Sequence, residues 1–202
     1  MSPSPRWRSS GEKIILASAS PRRVELLASA GIEVDAVPSL LPEEFRPAEV
    51  AADHARRLAE AKARSVAAGT AGRFFIGADT VVVRGGEVLG KPRDRAEAER
   101  MLRALSGEAH EVITGYAVYD AARGQVRIGA TTTLVHFKAL SAGEIAAYIA
   151  AEPPYDKAGA YAIQGRAAYM VRRIEGSYTN VVGLPLCETV EALVEMEAIA
   201  DG

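Results

Sequence analysis

The chain contains one cysteine, Cys187, so no disulfide can form within it. Histidine is nearly as scarce. His54, His110 and His136 stand far apart, and no cysteine and histidine set has the spacing of a zinc site. A dominant charge is also missing: 24 basic residues face 26 acidic ones, a formal net charge of −2. There is no broad basic field and no basic stripe with interleaved aromatics, which sets aside a nucleic-acid partner. No apolar run reaches the roughly 18 residues of a membrane helix. The opening MSPSPRWRSSGE has no apolar stretch like that of a secretory signal and contains Pro3 and Pro5, so a flexible tail is expected over residues 1–12. These absences favour a reducing, cytoplasmic compartment without a membrane partner.

What is present is apolar substance. Residues of hydrophobic type make up 49% of the 202, enough to bury a core and to set disorder aside. A single domain over 13–202 is expected. Lys13 to Ala17 reads as a buried strand. Ser20 suits a helix N-cap, Pro21 the first helical position, and Gly31 a stop. Ile32 to Val37 is strand-like, and a proline-bounded loop follows from Pro38 to Pro47. A long helix is predicted from about Pro47 to Ala68, with Val50, Ala51, His54, Ala55, Leu58 and Ala61 on one face. Lys62 falls among those apolar positions.

Phe74 to Ala78 predicts a buried strand ending at Asp79, and Gly85-Gly86 predicts a hairpin. Asp94 and Glu97 suggest a capping box for a helix that buries Ala98, Met101, Leu102 and Leu105. Two long strands are predicted over Glu111–Tyr119 and Gln125–Phe137, then a helix from Ser141 to about Ala151. A strand is expected near Tyr169–Ile174, and a last helix over about Glu188–Ile199. The mixture indicates an α/β protein with a mixed sheet.

Several residues invite chemistry. Arg22 and Arg23 occupy the first helical turn, where the helix dipole favours anions over cations. A shared phosphate would explain them, with Ser18 and Ser20 adding hydroxyl donors. Two solvated arginines behind an ordinary serine cap fit the segment equally well. Asp79 at a strand end can hold a metal or activate a water, or simply cap a turn. Lys62 must pair with a carboxylate or phosphate, or snorkel to the rim. Lys91 follows the hairpin that starts beside Asp79, and a surface turn lysine is the alternative. Glu43 and Glu44 read as solvated loop acids unless one of them faces a site. Gln164 offers a donor and an acceptor that match the edge of uracil or thymine, or a nearby backbone. Cys187 and the three histidines read as packed side chains, and Asp156-Lys157 as a surface pair.

In order along the chain stand Leu16-Ala17-Ser18-Ala19-Ser20-Pro21-Arg22-Arg23, Gly77-Ala78-Asp79-Thr80, Gly90-Lys91-Pro92 and Leu105-Ser106-Gly107 with His110. Asp156-Lys157-Ala158-Gly159-Ala160-Tyr161, Ile163-Gln164-Gly165 and Val182-Gly183-Leu184-Pro185 follow. Each is weak alone. As an ordered set from about Ile14 to Leu193, they make the sequence similar to the Maf family of nucleoside triphosphate pyrophosphatases.

The resemblance implies a Maf/inosine-triphosphatase-like fold, a mixed twisted sheet flanked by helices, in two lobes around a central cleft. It implies hydrolysis of dTTP or UTP, and of modified pyrimidine triphosphates, to the monophosphate and pyrophosphate with Mg²⁺ or Mn²⁺. Asp79 matches the family's proton acceptor. Glu43, Lys62 and Lys91 match polar cleft positions and are expected to take part in catalysis, and Asp79 with Glu43 would hold the metal. Arg22, Thr80 and Gln164 match positions tied to substrate choice, while Ser18, Ser20 and Arg23 complete the substrate-binding set. A branch acting on 7-methyl-GTP usually lacks the first arginine and the threonine kept here. Two further implications are a homodimer and, as an alternative to turnover, a nucleotide-binding regulator of septum formation. Ala162 departs from the family's usual glycine.

Overall fold

The computed structural model describes residues 7–201. The chain divides into two compact units. One comprises the chain up to Asp79, Thr114–Ala130 and the chain from Gly183; the other comprises Thr80–Ile113 and Thr131–Val182. Strands β2 (Ile14–Leu16), β3 (Asp35–Ala36), β4 (Phe74–Arg84), β5 (Glu87–Leu89), β6 (Ala109–Asp120), β7 (Gln125–Phe137) and β8 (Val171–Glu175) form a seven-stranded sheet. Its order is β3-β2-β4-β6-β7-β8, with β5 on β4. Parallel β2/β3 and β2/β4 pairs stand beside antiparallel β4/β5 and β7/β8 pairs, so the sheet is mixed, as the sequence leads one to expect.

In the first unit, Ile14, Ile15 and Leu16 pair in register with Phe74, Phe75 and Ile76. All six are buried, which suits strands covered on both faces. Helix α1 (Pro21–Ser29) buries Leu26 and Leu27, and Gly31 follows it at φ 76°. Helix α2 (Ala51–Ala67) buries His54, Ala55, Leu58, Ala59, Lys62, Ala63 and Val66 along one face. Helix α6 (Leu186–Glu195) leads into β9 (Ile199–Asp201). Of the expected tail, residues 1–6 lie outside the described residues. Trp7–Ser9 form strand β1, antiparallel to β9, and the Trp7 indole donates to the Ala30 carbonyl at 2.9 Å.

In the second unit, the β4/β5 hairpin turns at Gly85 and Gly86, both at positive φ. Helix α3 (Arg95–Leu105) buries Ala98, Met101, Leu102 and Leu105. Helix α4 (Ala142–Ala151) has a complete capping box of Ser141 and Glu144. A short helix α5 spans Tyr178–Val182. No helix among the described residues is long and apolar enough to cross a membrane.

Several local expectations change. The strand expected near Tyr169–Ile174 begins at Val171, because Gly165–Met170 form a 3₁₀ turn, and the strand-like Ile32–Val37 pairs only over Asp35–Ala36. Asp79 does not end its strand, because β4 continues through Thr80 to Arg84. Helix α2 starts at Ala51 instead of Pro47, since residues 46–49 form a turn with Ala48 at φ 57°. Asp94 accepts from the Glu97 N–H, but the Glu97 carboxylate reaches the Arg93 N–H, so the expected box is not reciprocal. The last helix stops at Glu195, and Ile199 belongs to a strand.

Candidate active site

Two glycines let α2 lie directly on the sheet. A Cβ at Gly77 of β4 would stand 2.0 Å from the Ala59 carbonyl oxygen, and one at Gly115 of β6 would stand 2.2 Å from that of Ala55. Only a residue without a side chain permits backbone to approach backbone so closely. The sheet-facing side of α2 thereby brings Lys62 and His54 to Asp79 of β4.

The Lys62 ammonium donates to Asp79 Oδ1 at 2.7 Å and to Glu43 Oε1 at 2.6 Å. Lys62 and Asp79 are each 7% exposed at the side chain, and Glu43 is 38% exposed. Removing such charges from water costs several kcal/mol each, so the pairing is what allows a lysine on the buried face of α2. Glu43 arrives on the irregular segment between β3 and α2, and its neighbour Glu44 does not enter this ion pair. Its own carbonyl accepts from Arg57 Nη2 at 3.1 Å.

His54 was not singled out by the sequence. Its Nε2 stands 3.8 Å from Asp79 Oδ2, and its Nδ1 stands 3.0 Å from Glu49 Oε2 and 3.2 Å from Arg57 Nη2. Arg57 grips Glu49 through Nε at 2.6 Å and Nη2 at 2.7 Å. That grip holds the Glu49 carboxyl well below the usual carboxylate range, although partial burial opposes it. The nearest sequence clue is the place of His54 on the apolar face: His54 and Lys62 are eight positions apart, a little over two helical turns, hence on one side of α2.

At the head of α1, Arg23 folds back onto the protein. Its Nε donates to the Gly183 carbonyl at 2.7 Å, and its Nη1 to the Ala78 carbonyl at 2.8 Å and Ser18 Oγ at 3.1 Å. Burial lowers the Arg23 guanidinium from its ordinary value, against the raising fields of Asp79 and Glu43. Ser18 Oγ also accepts the Ser20 N–H at 3.2 Å, and the Ser20 side chain makes no cap bond. Arg22 occupies the first turn of α1, half-buried. The first unit therefore links Ser18, Arg23, Glu43, Lys62 and Asp79 through side chains and the Ala78 backbone.

Thr80, Lys91 and Gln164 belong to the second unit. Thr80 lies within β4, half-buried, and Gln164 immediately precedes a 3₁₀ turn at Gly165–Met170. Exposed Lys91 follows β5, where the Gly90 carbonyl accepts the Gly159 N–H at 3.1 Å. Gly159 has φ 66°, and a Cβ there would press on Val82 at 3.1 Å. Lys157 pairs with exposed Asp156 at 2.7 Å and stands 3.9 Å from Glu152, but its own side chain is mostly buried, so this is not the simple surface pair expected.

Cys187 is exposed instead of packed. It stands near the start of α6, where burial of its sulfur and the carboxylates of Glu191 and Glu188 push the thiol up, so it is no better suited to nucleophilic attack. Among the described residues, no group of three or more His, Cys, Asp and Glu side chains gathers as a metal site. Asp79 and Glu43 do converge on one ammonium. One or two carboxylates completed by substrate phosphates are a usual donor set for Mg²⁺, so this pair fits such an ion.

A family model described as Maf-like protein matches residues 13–196. A dTTP/UTP pyrophosphatase of Geobacter sulfurreducens is 63% identical over 187 residues, 93% of this chain and 98% of the relative. One of Geotalea uraniireducens is 62% identical, covering 92% of this chain and 96% of the relative. A dTTP/UTP pyrophosphatase of Moorella thermoacetica is 50% identical over 90% of this chain and 93% of its own length. With motif order, mixed sheet and near full-length identity in agreement, the chain belongs to the Maf-like protein family.

Proposed function

We propose that this chain hydrolyses dTTP and UTP to the nucleoside monophosphate and pyrophosphate. The observation that carries the chemistry is the buried Lys62 ammonium shared by Asp79 and Glu43. Asp79 takes a proton from a water that attacks the α-phosphorus. The bond to the bridging oxygen breaks, and pyrophosphate leaves. The substrate carries about four negative charges, so cations must be gathered locally in a chain of net charge −2. Arg22, Arg23, Lys62 and Lys91 supply them, with Ser18 and Ser20 as hydroxyl donors to phosphate oxygens. A Mg²⁺ or Mn²⁺ ion held by Asp79 and Glu43 would supply Lewis-acid polarisation of the phosphate oxygens. Thr80 and Gln164 read the pyrimidine edge. Positioning and charge stabilisation provide most of the rate. Cytoplasmic residence and a homodimer accompany this reading as family expectations.

The test is product analysis on a panel of dTTP, UTP, CTP, ATP, GTP and 7-methyl-GTP, with and without Mg²⁺ or Mn²⁺. Pyrophosphate is expected from dTTP and UTP ahead of the others, and only with metal. Release of orthophosphate, or preference for 7-methyl-GTP, would overturn the assignment. Nucleotide binding without turnover would favour a regulatory role instead.

A further inference from the structure

We propose that His54 is a positioning residue for Asp79, fixed in its own orientation by Glu49, Arg57 and Phe45. The inference rests on the reading of Asp79 as the group that takes the proton from water.

His54 is 1% exposed; its Nδ1 lies within hydrogen-bond distance of other side chains, whereas its Nε2 only faces Asp79 across a gap too long for a hydrogen bond. Nδ1 stands 3.0 Å from Glu49 Oε2, to which it donates when it carries the proton, and 3.2 Å from Arg57 Nη2, from which it can accept when it does not. Nε2 faces Asp79 Oδ2 at 3.8 Å. The ring plane is set independently, because Phe45 stacks on it with centroids 3.4 Å apart and planes within 3°. A ring held at one nitrogen and covered on one face has little freedom to turn Nε2 away from Asp79. The opposite oxygen of Asp79 is taken by Lys62 at 2.7 Å. A carboxylate rotates easily about its terminal torsion, so a group beyond each oxygen is what defines its plane. A general base misaimed by about 1 Å can lose a hundredfold in rate.

The same three residues tie down the segment that carries Glu43. Phe45 comes from it, Arg57 Nη2 donates to the Glu44 carbonyl at 3.1 Å, and the Arg46 N–H donates to Glu49 Oε2 at 3.1 Å. Lys62 closes the circuit by holding Glu43 and Asp79 together. One ring thus sets the aim of Asp79 and supports the arrival of Glu43. Both tasks need nitrogen atoms at fixed places, whereas a mere core aromatic would need only its ring.

Two variants separate these cases. His54→Phe keeps the stacked ring on Phe45 and removes both nitrogens. His54→Gln loses the ring and keeps an N–H donor. A packing role predicts that activity follows melting temperature, with Phe at least as good as Gln. The positioning role predicts the reverse order. His54→Phe should lose about ten- to a hundredfold in kcat on dTTP with KM within about twofold, while His54→Gln, though less stable, retains more of kcat. Glu49→Gln, which loosens the hold on Nδ1 without touching Asp79, should lower kcat about three- to tenfold and carries the test should either His54 variant not fold. A kcat of His54→Phe or Glu49→Gln within about twofold of the parent chain, or activities that track stability, would overturn the proposal. An inactive parent chain on dTTP and UTP would instead sink the assignment of activity itself.

Discussion

Two buried aspartates of the same compact unit have opposite surroundings. Asp120, at the end of β6, is fully buried, and both its oxygens are filled. Arg73 donates to it through Nη2 at 2.9 Å and Nε at 3.2 Å, and the backbone N–H groups of Ala122 and Arg123 donate to Oδ1 at 2.9 and 3.2 Å. Asp79, in the middle of β4, is 5% exposed and receives its ammonium from a lysine that it shares with Glu43. Its second oxygen has His54 at 3.8 Å, beyond hydrogen-bond length. Asp120 closes a strand end and has its acceptor capacity spent on the frame. Asp79 sits in a cluster whose groups are shared, which is the condition for exchanging a partner with a substrate. Burial and an ion pair are common to both residues, so neither marks a site by itself.

The sharpest way to break this comparison is to replace each carboxylate by its amide. Asp79→Asn should keep the fold, since Lys62 retains Glu43, and should lose about a thousandfold in kcat on dTTP and UTP. Pyrophosphate release and thermal melting measured on the same preparation check this. Near-parental turnover would remove Asp79 from the chemistry.

Asp120→Asn should behave in the opposite way. It removes the negative charge that faces the Arg73 guanidinium and replaces one acceptor oxygen by an NH2 donor, at a cost on the order of 2 kcal/mol in unfolding free energy, with turnover per folded molecule preserved. Denaturant titration reads the loss. The pH dependence follows the same logic. Burial pushes the Asp120 carboxyl up, but Arg73 and the two backbone N–H groups outweigh it and leave the carboxyl below its ordinary value. The unfolded chain therefore binds this proton first as pH falls. The contribution of Asp120 is fully present above the ordinary carboxylate range and disappears as pH drops through and below it. The amide variant should lose that part of the acid dependence.

The comparison also explains what could be seen in the chain beforehand. Strand β2, helix α1 with Pro21 and Gly31, the Gly85-Gly86 hairpin and the Ser141 helix were legible, because local apolar period and turn chemistry decide them. So was Lys62 as an anomaly, since an ammonium among alanines and leucines demands a partner. The continuation of β4 through Asp79 was not legible, because a polar pair inside an apolar run resembles a strand end until the neighbouring strands are known. Gly77 and Gly115 gave no hint of holding α2 against the sheet, since that close approach joins residues distant in sequence. His54 was missed for a related reason. Helical period placed it on the apolar face, but its partners Phe45 and Glu49 lie in an irregular segment, and Asp79 lies on another element. Lys91 after the hairpin and the donor and acceptor of Gln164 had local readings, but each had an equally good bland alternative, and the role of Thr80 came from family resemblance alone.

His110 supplies the smallest and most discriminating test, because it is buried and yet part of neither aspartate's cluster. Its Nε2 lies 2.8 Å from the Tyr161 hydroxyl, and Phe137 and Tyr161 meet its ring edge-on. Nδ1 is buried with no hydrogen-bond partner among the described residues. Burial, with a lesser contribution from His136, pushes the imidazole down to about 4. The unfolded chain, with a histidine of ordinary pKa, takes up this proton at higher pH than the folded one. Stability from His110 is thus present above the ordinary histidine value and is lost as pH falls from there towards 4. Between pH 7 and pH 5.5 the loss should be about 1 kcal/mol. His110→Gln should flatten that slope in melting or denaturant experiments and leave kcat on dTTP close to the parent value. Were kcat to fall while the slope stayed the same, an unfilled buried nitrogen would be a better mark of the active site than a shared ion pair, and the contrast between Asp79 and Asp120 would lose its meaning.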